Sequence, residues 1–149
     1  RSKDDLLAEA MRMTINHMME DVFAAIDNRG QSFEATLKEV IFYLVDGAAR
    51  FPGISTAHFY DVIVEKRYDS LGGQAMRRVF EGLAARAAEE FPRKDPDELR
   101  FVLVQIFAAL LLNMLTPGFF PVPEKFQPLD AEHCQRAAEQ YVRLFFAAV

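Results

Sequence analysis

Two histidines stand three residues ahead of a carboxylate, in His17-x-x-Glu20 and His58-x-x-Asp61, which on a helix puts imidazole and acid one turn apart. Helical bundles hold di-metal centres with the opposite order, Glu-x-x-His, used twice and joined by glutamates projecting inward from other helices. Here the order is reversed and the carboxylates fall on polar faces, so both read as surface pairs and no metal ligand is assigned. Nucleophilic catalysis lacks its parts as well. No Gly-x-Ser-x-Gly elbow and no cysteine-centred motif is present. Cys134, the single cysteine, lies on a helical face between Ala131 and Ala138 and reads as a small buried hydrophobe. One thiol also excludes an internal disulfide and any multi-cysteine metal site. The chain is therefore expected to be no enzyme and to carry neither metal nor cofactor.

Binding chemistry has more to work with. Four of the six methionines, Met11, Met13, Met18 and Met19, gather near the start, while Phe and Tyr are spread over the rest. Any one of them is explained as adaptable core filling. As a group, flexible and aromatic side chains on several non-parallel helices leave room for an apolar cavity, and the guest it suits is a hydrophobic small molecule. The expected lining is Met11, Ile15, Met18, Tyr43, Phe59, Ile63 and Phe80, with Gln105 and Asn113 as orienting amides. A buried amide without a partner costs about 1 to 3 kcal/mol. Each of those two must therefore meet a backbone group, a water, a second copy or a ligand.

The elements that position these side chains are helices. Apolar residues recur at helical spacing and no stretch alternates at period two, so the class is all-α, an antiparallel bundle of about six helices. Ser2 and Asp5 form a Ser-x-x-Asp capping box for a first helix running on Leu6/Leu7, Ala10/Met11, Thr14/Ile15, Met18/Met19 and Val22/Phe23 to Asn28, with Gly30 as a left-handed C-cap. A second helix starts at Ser32 and ends at Pro52-Gly53. Its wholly apolar run from Val40 to Val45 predicts a position in the middle of the bundle. A short third helix is expected after Ser55, broken by Gly72-Gly73, and a fourth over 74–91. Asp95-Pro96-Asp97-Glu98 is a strong start signal for a fifth. Pro117-Gly118 closes it, and Asp130 caps a sixth.

The length of 149 residues suits one domain, 1–149, able to bury about two-thirds of its unfolded surface. With 51% hydrophobic and 26% charged residues it is no disordered chain. A net charge of -5 with scattered Lys and Arg offers no field for nucleic acid. The most apolar stretch, Phe101 to Leu115, reaches roughly 22 Å as a helix against a hydrocarbon core of about 30 Å. No membrane span is expected, and with no signal peptide the expected location is cytoplasmic.

The opening Arg1-Ser2-Lys3-Asp4-Asp5-Leu6-Leu7-Ala8-Glu9-Ala10 resembles the segment of TetR-family transcription regulators where the DNA-recognition module runs into the long connecting helix. The order of helices that follows is similar too, with a central apolar helix, shorter helices, and a highly apolar penultimate one. The resemblance implies a C-terminal effector-sensing and homodimerisation domain of a repressor. Its helix-turn-helix head would precede Arg1, and DNA would be bound only through that head. It further implies an effector pocket between Ser32 and Leu115, and a two-fold interface on the last two helices through Val104, Leu111, Leu115, Ala138, Tyr141 and Phe145. The last helix carries a second apolar face, Val142, Phe146 and Val149, that such pairing would bury. The competing reading is a helical protein-protein interaction and dimerisation module with no small-molecule site. On the interface reading, a charge at Phe145 or Leu111 splits a dimer in sedimentation.

Overall fold

The computed structural model describes residues 2–115 and 121–149, less the side chains of Asp4, Leu7 and Leu115. The expected interface residue Leu115 thus lies, by its side chain, outside the described residues, as do Arg1 and the Pro117-Gly118 stop. The described residues form six α-helices and one short 3-10 turn, without strands. They are α1 (Lys3–Asp27), α2 (Phe33–Arg50), α3 (Pro52–Ile63), α4 (Leu71–Glu90), α5 (Pro96–Leu115), the turn at Glu124–Phe126, and α6 (Ala131–Ala148). None of the helices is long and apolar enough to cross a membrane.

Helix starts follow local chemistry. Ser2 Oγ accepts from the Asp5 N–H at 3.1 Å while Asp5 accepts from the Ser2 N–H at 2.8 Å, the reciprocal box read from the sequence. Those bonds favour the charged acid, so the Asp5 pKa lies below the ordinary carboxylate value. Ser32 caps α2 at the Ala35 N–H, Asp95 accepts from Asp97 N–H at 2.8 Å, and Asp130 accepts from His133 N–H at 2.9 Å.

Three boundaries differ from expectation. Pro52 does not close α2 but opens α3, because its fixed backbone suits the first helical position and only Phe51 separates the two helices. Gly72 and Gly73 do not break the chain but lie in the first turn of α4, whose cap is Ser70, accepting from the Gly73 N–H at 3.2 Å. Finally, Gly30 is not a left-handed cap. α1 ends at Asn28, whose side-chain oxygen accepts from the Gly30 N–H at 3.1 Å in an Asx turn.

α2 packs against all five other helices, as its apolar run predicts. Phe33, Leu37, Val40, Ile41, Leu44 and Val45 are buried on it. The end of α6 closes one pole of the core through an aromatic cluster: Phe145 sits 5.3 Å from Phe33 and 6.2 Å from Phe91, ring centre to ring centre. This corrects the expected interface. Ala138 and Phe145 are both 0% exposed inside the bundle, and Val142 is buried beside them, so no second copy can reach them. The α6 stripe was read correctly as apolar but its partner is α2 of the same chain.

Among the described residues the buried polar side chains are Thr36 and Arg86. Arg86, on α4, donates to the carbonyl oxygens of Ile26 at 3.1 Å, Asn28 at 2.9 Å and Gln31 at 2.7 Å. Those carbonyls end α1 and line the turn into α2, where the helix dipole is negative and intrahelical donors have run out. Gln31 completes the bracket from within the turn, donating to the Ala25 carbonyl and to Thr36 Oγ1, each at 3.2 Å. Arg86→Met keeps the volume and strands three acceptors. It should lower unfolding free energy by about 3 kcal/mol in urea titration. Phe145→Asp should abolish cooperative unfolding rather than shift an oligomeric state, a distinction that sedimentation and circular dichroism read together.

Candidate functional site

Under α3 the packing is incomplete. Ile15, Met18 and Met19 of α1, Leu44 of α2 and Met76 of α4 surround a cavity of about 50 Å3, with Met114 of α5 at its floor. Nearly all of its surface is apolar, and four of those side chains are methionines, whose unbranched thioethers change rotamer at low cost. Helix crossings are close here: a Cβ at Gly47 would fall 2.4 Å from Met18 Cε. A second space of about 240 Å3 opens between α3, α4 and α5, past Ile63, Tyr68, Phe80 and Leu111. His58, Phe59, Gly72 and Met76 border both.

His58 is the polar feature of this region. Among the described residues neither ring nitrogen has a hydrogen-bond partner, and both are shielded from solvent, so the exposure the residue retains lies elsewhere on it. The ring rests on the first turn of α4, in the place a side chain at position 72 would occupy: a Cβ on Gly72 would lie 0.9 Å from Nε2. Burial pushes the imidazole pKa below its ordinary 6.5, with Asp61 pulling partly the other way. The positive end of α4 favours the neutral ring as well. His58-x-x-Asp61 is therefore no surface pair. Asp61 turns instead to Arg67, with which it forms an ion pair. Among the described residues no three His, Cys, Asp or Glu side chains gather as a metal site.

The expected lining residues divide. Ile15, Met18 and Phe59 border the inner cavity. Phe80 and the 59% exposed Ile63 border only the outer space. Met11 faces an open groove between α1 and α3, beside Pro52 and Tyr60. Tyr43 borders neither space. Its ring lies 5.6 Å from Phe42, and burial, then Asp21 and Glu39, raise its hydroxyl pKa. Gln105 is solvent-exposed on the outer face of α5, so water satisfies its amide and it orients nothing. Asn113 has its partner already, donating to the Tyr141 hydroxyl at 2.6 Å. That bond also fixes Tyr141 between α5 and α6, away from the interface role expected of it. Leu111 borders the outer space, whereas Val104 is 45% exposed.

His58 is not among the expected lining residues, although it lies one turn before Val62, which borders the outer space, and so shares its helix face. Cys134 is wholly buried and its thiol pKa is pushed up to about 11, chiefly by burial, so it holds its proton at neutral pH. No protein-family model matches this chain, and no curated protein or solved structure matches it either.

The unfolded chain binds a proton at His58 near the ordinary value of 6.5, while the folded chain binds it only at lower pH. Stability held above that value is thus lost as pH falls through the folded pKa. Between pH 8 and pH 5 the wild-type melting temperature should fall further than that of His58→Phe, as read by calorimetry.

Proposed function

We propose that this chain is the effector-sensing and homodimerisation domain of a TetR-like transcriptional regulator, acting as a repressor, with a mostly apolar small molecule as effector. The observation that carries the reading is the methionine-walled cavity under α3, which also touches α1 at Ile15, Met18 and Met19. In the resembled family the helix at this position joins the sensing domain to the DNA-binding head. A guest that pushes on those three side chains favours one pose of α1 over another, and such differential affinity is what allosteric control requires. DNA binding belongs, on this reading, to a head joined ahead of α1.

Dimerisation is supported by α5. Phe101, Val104 and Ala108 form an outward stripe at spacings of three and four, and Phe101 is 62% exposed. A two-fold partner would cover it with its own copy. The alternative, a helical interaction module without a ligand, gains from one observation: about 50 Å3 is well below the roughly 300 Å3 at which small-molecule sites begin. Thermal shift against a panel of hydrophobic acyl and aromatic compounds decides between them. The sensing reading expects at least one member to raise the melting temperature by several degrees, and no response to any member leaves the interaction module. In sedimentation Val104→Glu should convert dimer to monomer at unchanged melting cooperativity, and an unaltered mass would remove α5 from the interface.

A further inference from the structure

The inner cavity and the outer space share four bordering residues, His58, Phe59, Met76 and Gly72, and three of them carry side chains that can move. His58 and Phe59 both belong to α3, a helix with no buried residue of its own and no side-chain cap. Met76, the third member of the partition, is a flexible thioether. Gly72, the fourth, presents no side chain at all. Were the His58 and Phe59 rings to swing aside, about 50 Å3 would join about 240 Å3, and the joined volume would approach that of small-ligand sites.

Two shielded nitrogens without partners carry a desolvation penalty that the protein leaves uncompensated. We infer that the two spaces are halves of one ligand site, and that its occupant is an uncharged molecule with a compact apolar body and one hydroxyl group that hydrogen-bonds His58. A hydroxyl both donates and accepts, so it meets a neutral imidazole whichever nitrogen bears the proton. The inner wall holds no ionisable group except His58, and a charge brought into it would lose its hydration without a counter-ion; the outer space adds Tyr68 and Arg77, and Arg77 is solvent-exposed at its border, so the buried body of the guest meets no compensating charge. Aromatic bodies suit the Phe59 and Met76 surfaces. This inference rests on the sensing reading of the same cavity and adds the chemical class of its occupant.

The test uses three molecules of nearly one shape: phenol, toluene and benzoate. Calorimetric titration of the full chain should show phenol bound about tenfold tighter than toluene, with benzoate weakest. In His58→Phe the phenol advantage should vanish while toluene binding stays within about threefold of wild type. Should that variant fail to fold, imidazole 15N shifts in the wild type supply the same answer, since phenol must move them and toluene must not. Equal binding of phenol and toluene, or unmoved imidazole shifts with phenol bound, overturns the hydroxyl assignment and leaves an apolar sensor. Tightest binding by benzoate overturns the uncharged class. If none of the three binds, the inference fails; the sensing reading fails with it only when the broader hydrophobic panel is silent too.

Discussion

Arg86 holds together the part of the bundle in which everything else is arranged. A guanidinium taken out of water loses strong hydration, and here no carboxylate compensates it; the carbonyls of Ile26, Asn28 and Gln31 do. Those three oxygens can converge only if α1 stops where it does, turns through Asn28 and Gly30, and restarts at Ser32. The side chain that reaches them must come from α4 at the right height. One residue thereby sets the relation of α1, α2 and α4, three of the helices that wall the cavity. The surface pairs nearby, Arg29 with Glu89 and Arg78 with Asp27, join the same elements but stand in water, where each contributes little.

Around that frame the two ends of the bundle differ in character. At the Arg86 pole, Phe33, Phe91, Phe145 and Phe146 interlock as an aromatic cluster with ring centres 5.3 to 6.2 Å apart in edge-to-face pairs. Toward the beginning of α1 and along α3, packing is made of methionines and glycines. Methionine adapts where phenylalanine would not, and the close approaches at Gly47 and Gly72 bring backbone into places that side chains elsewhere fill. A rigid half thus supports a compliant half, and α3 lies on the compliant one. His58 is stranded there because its ring rests on the side-chain-free Gly72 and, among the described residues, no polar side chain nearby comes within hydrogen-bond reach of its nitrogens.

Much of this was legible from residue types alone. The capping serines and aspartates at 2, 32, 95 and 130 mark helix starts because their side chains satisfy amides that no helix can satisfy internally. The apolar run through Val45 announced a central α2. Arg86 could have been found as well, since it falls one turn past Leu83 on the apolar stripe of α4, where a charge demands a partner. Other signals misled for reasons that can be named. Pro52 marks both an end and a beginning, and only the following contacts say which. Gly72-Gly73 resembles a break when read for propensity, yet Ser70 supplies the cap and His58 the reason for a missing side chain.

The sequence by itself determined the class, the helices and most of their ends, because these rest on periodicity and on bonds between residues a few positions apart. Only the tertiary structure decided which apolar stripe meets which. Phe145 and Ala138 look identical in sequence whether they face α2 or a second copy, and burial assigns them to α2. Only the structure decided, likewise, that Gln105 is wet, that Asn113 has Tyr141, and that the His58 nitrogens have no hydrogen-bond partner among the described residues. Periodicity reports that a face is apolar, whereas a partner is a matter of distance between segments far apart in the chain, and no local rule contains that distance.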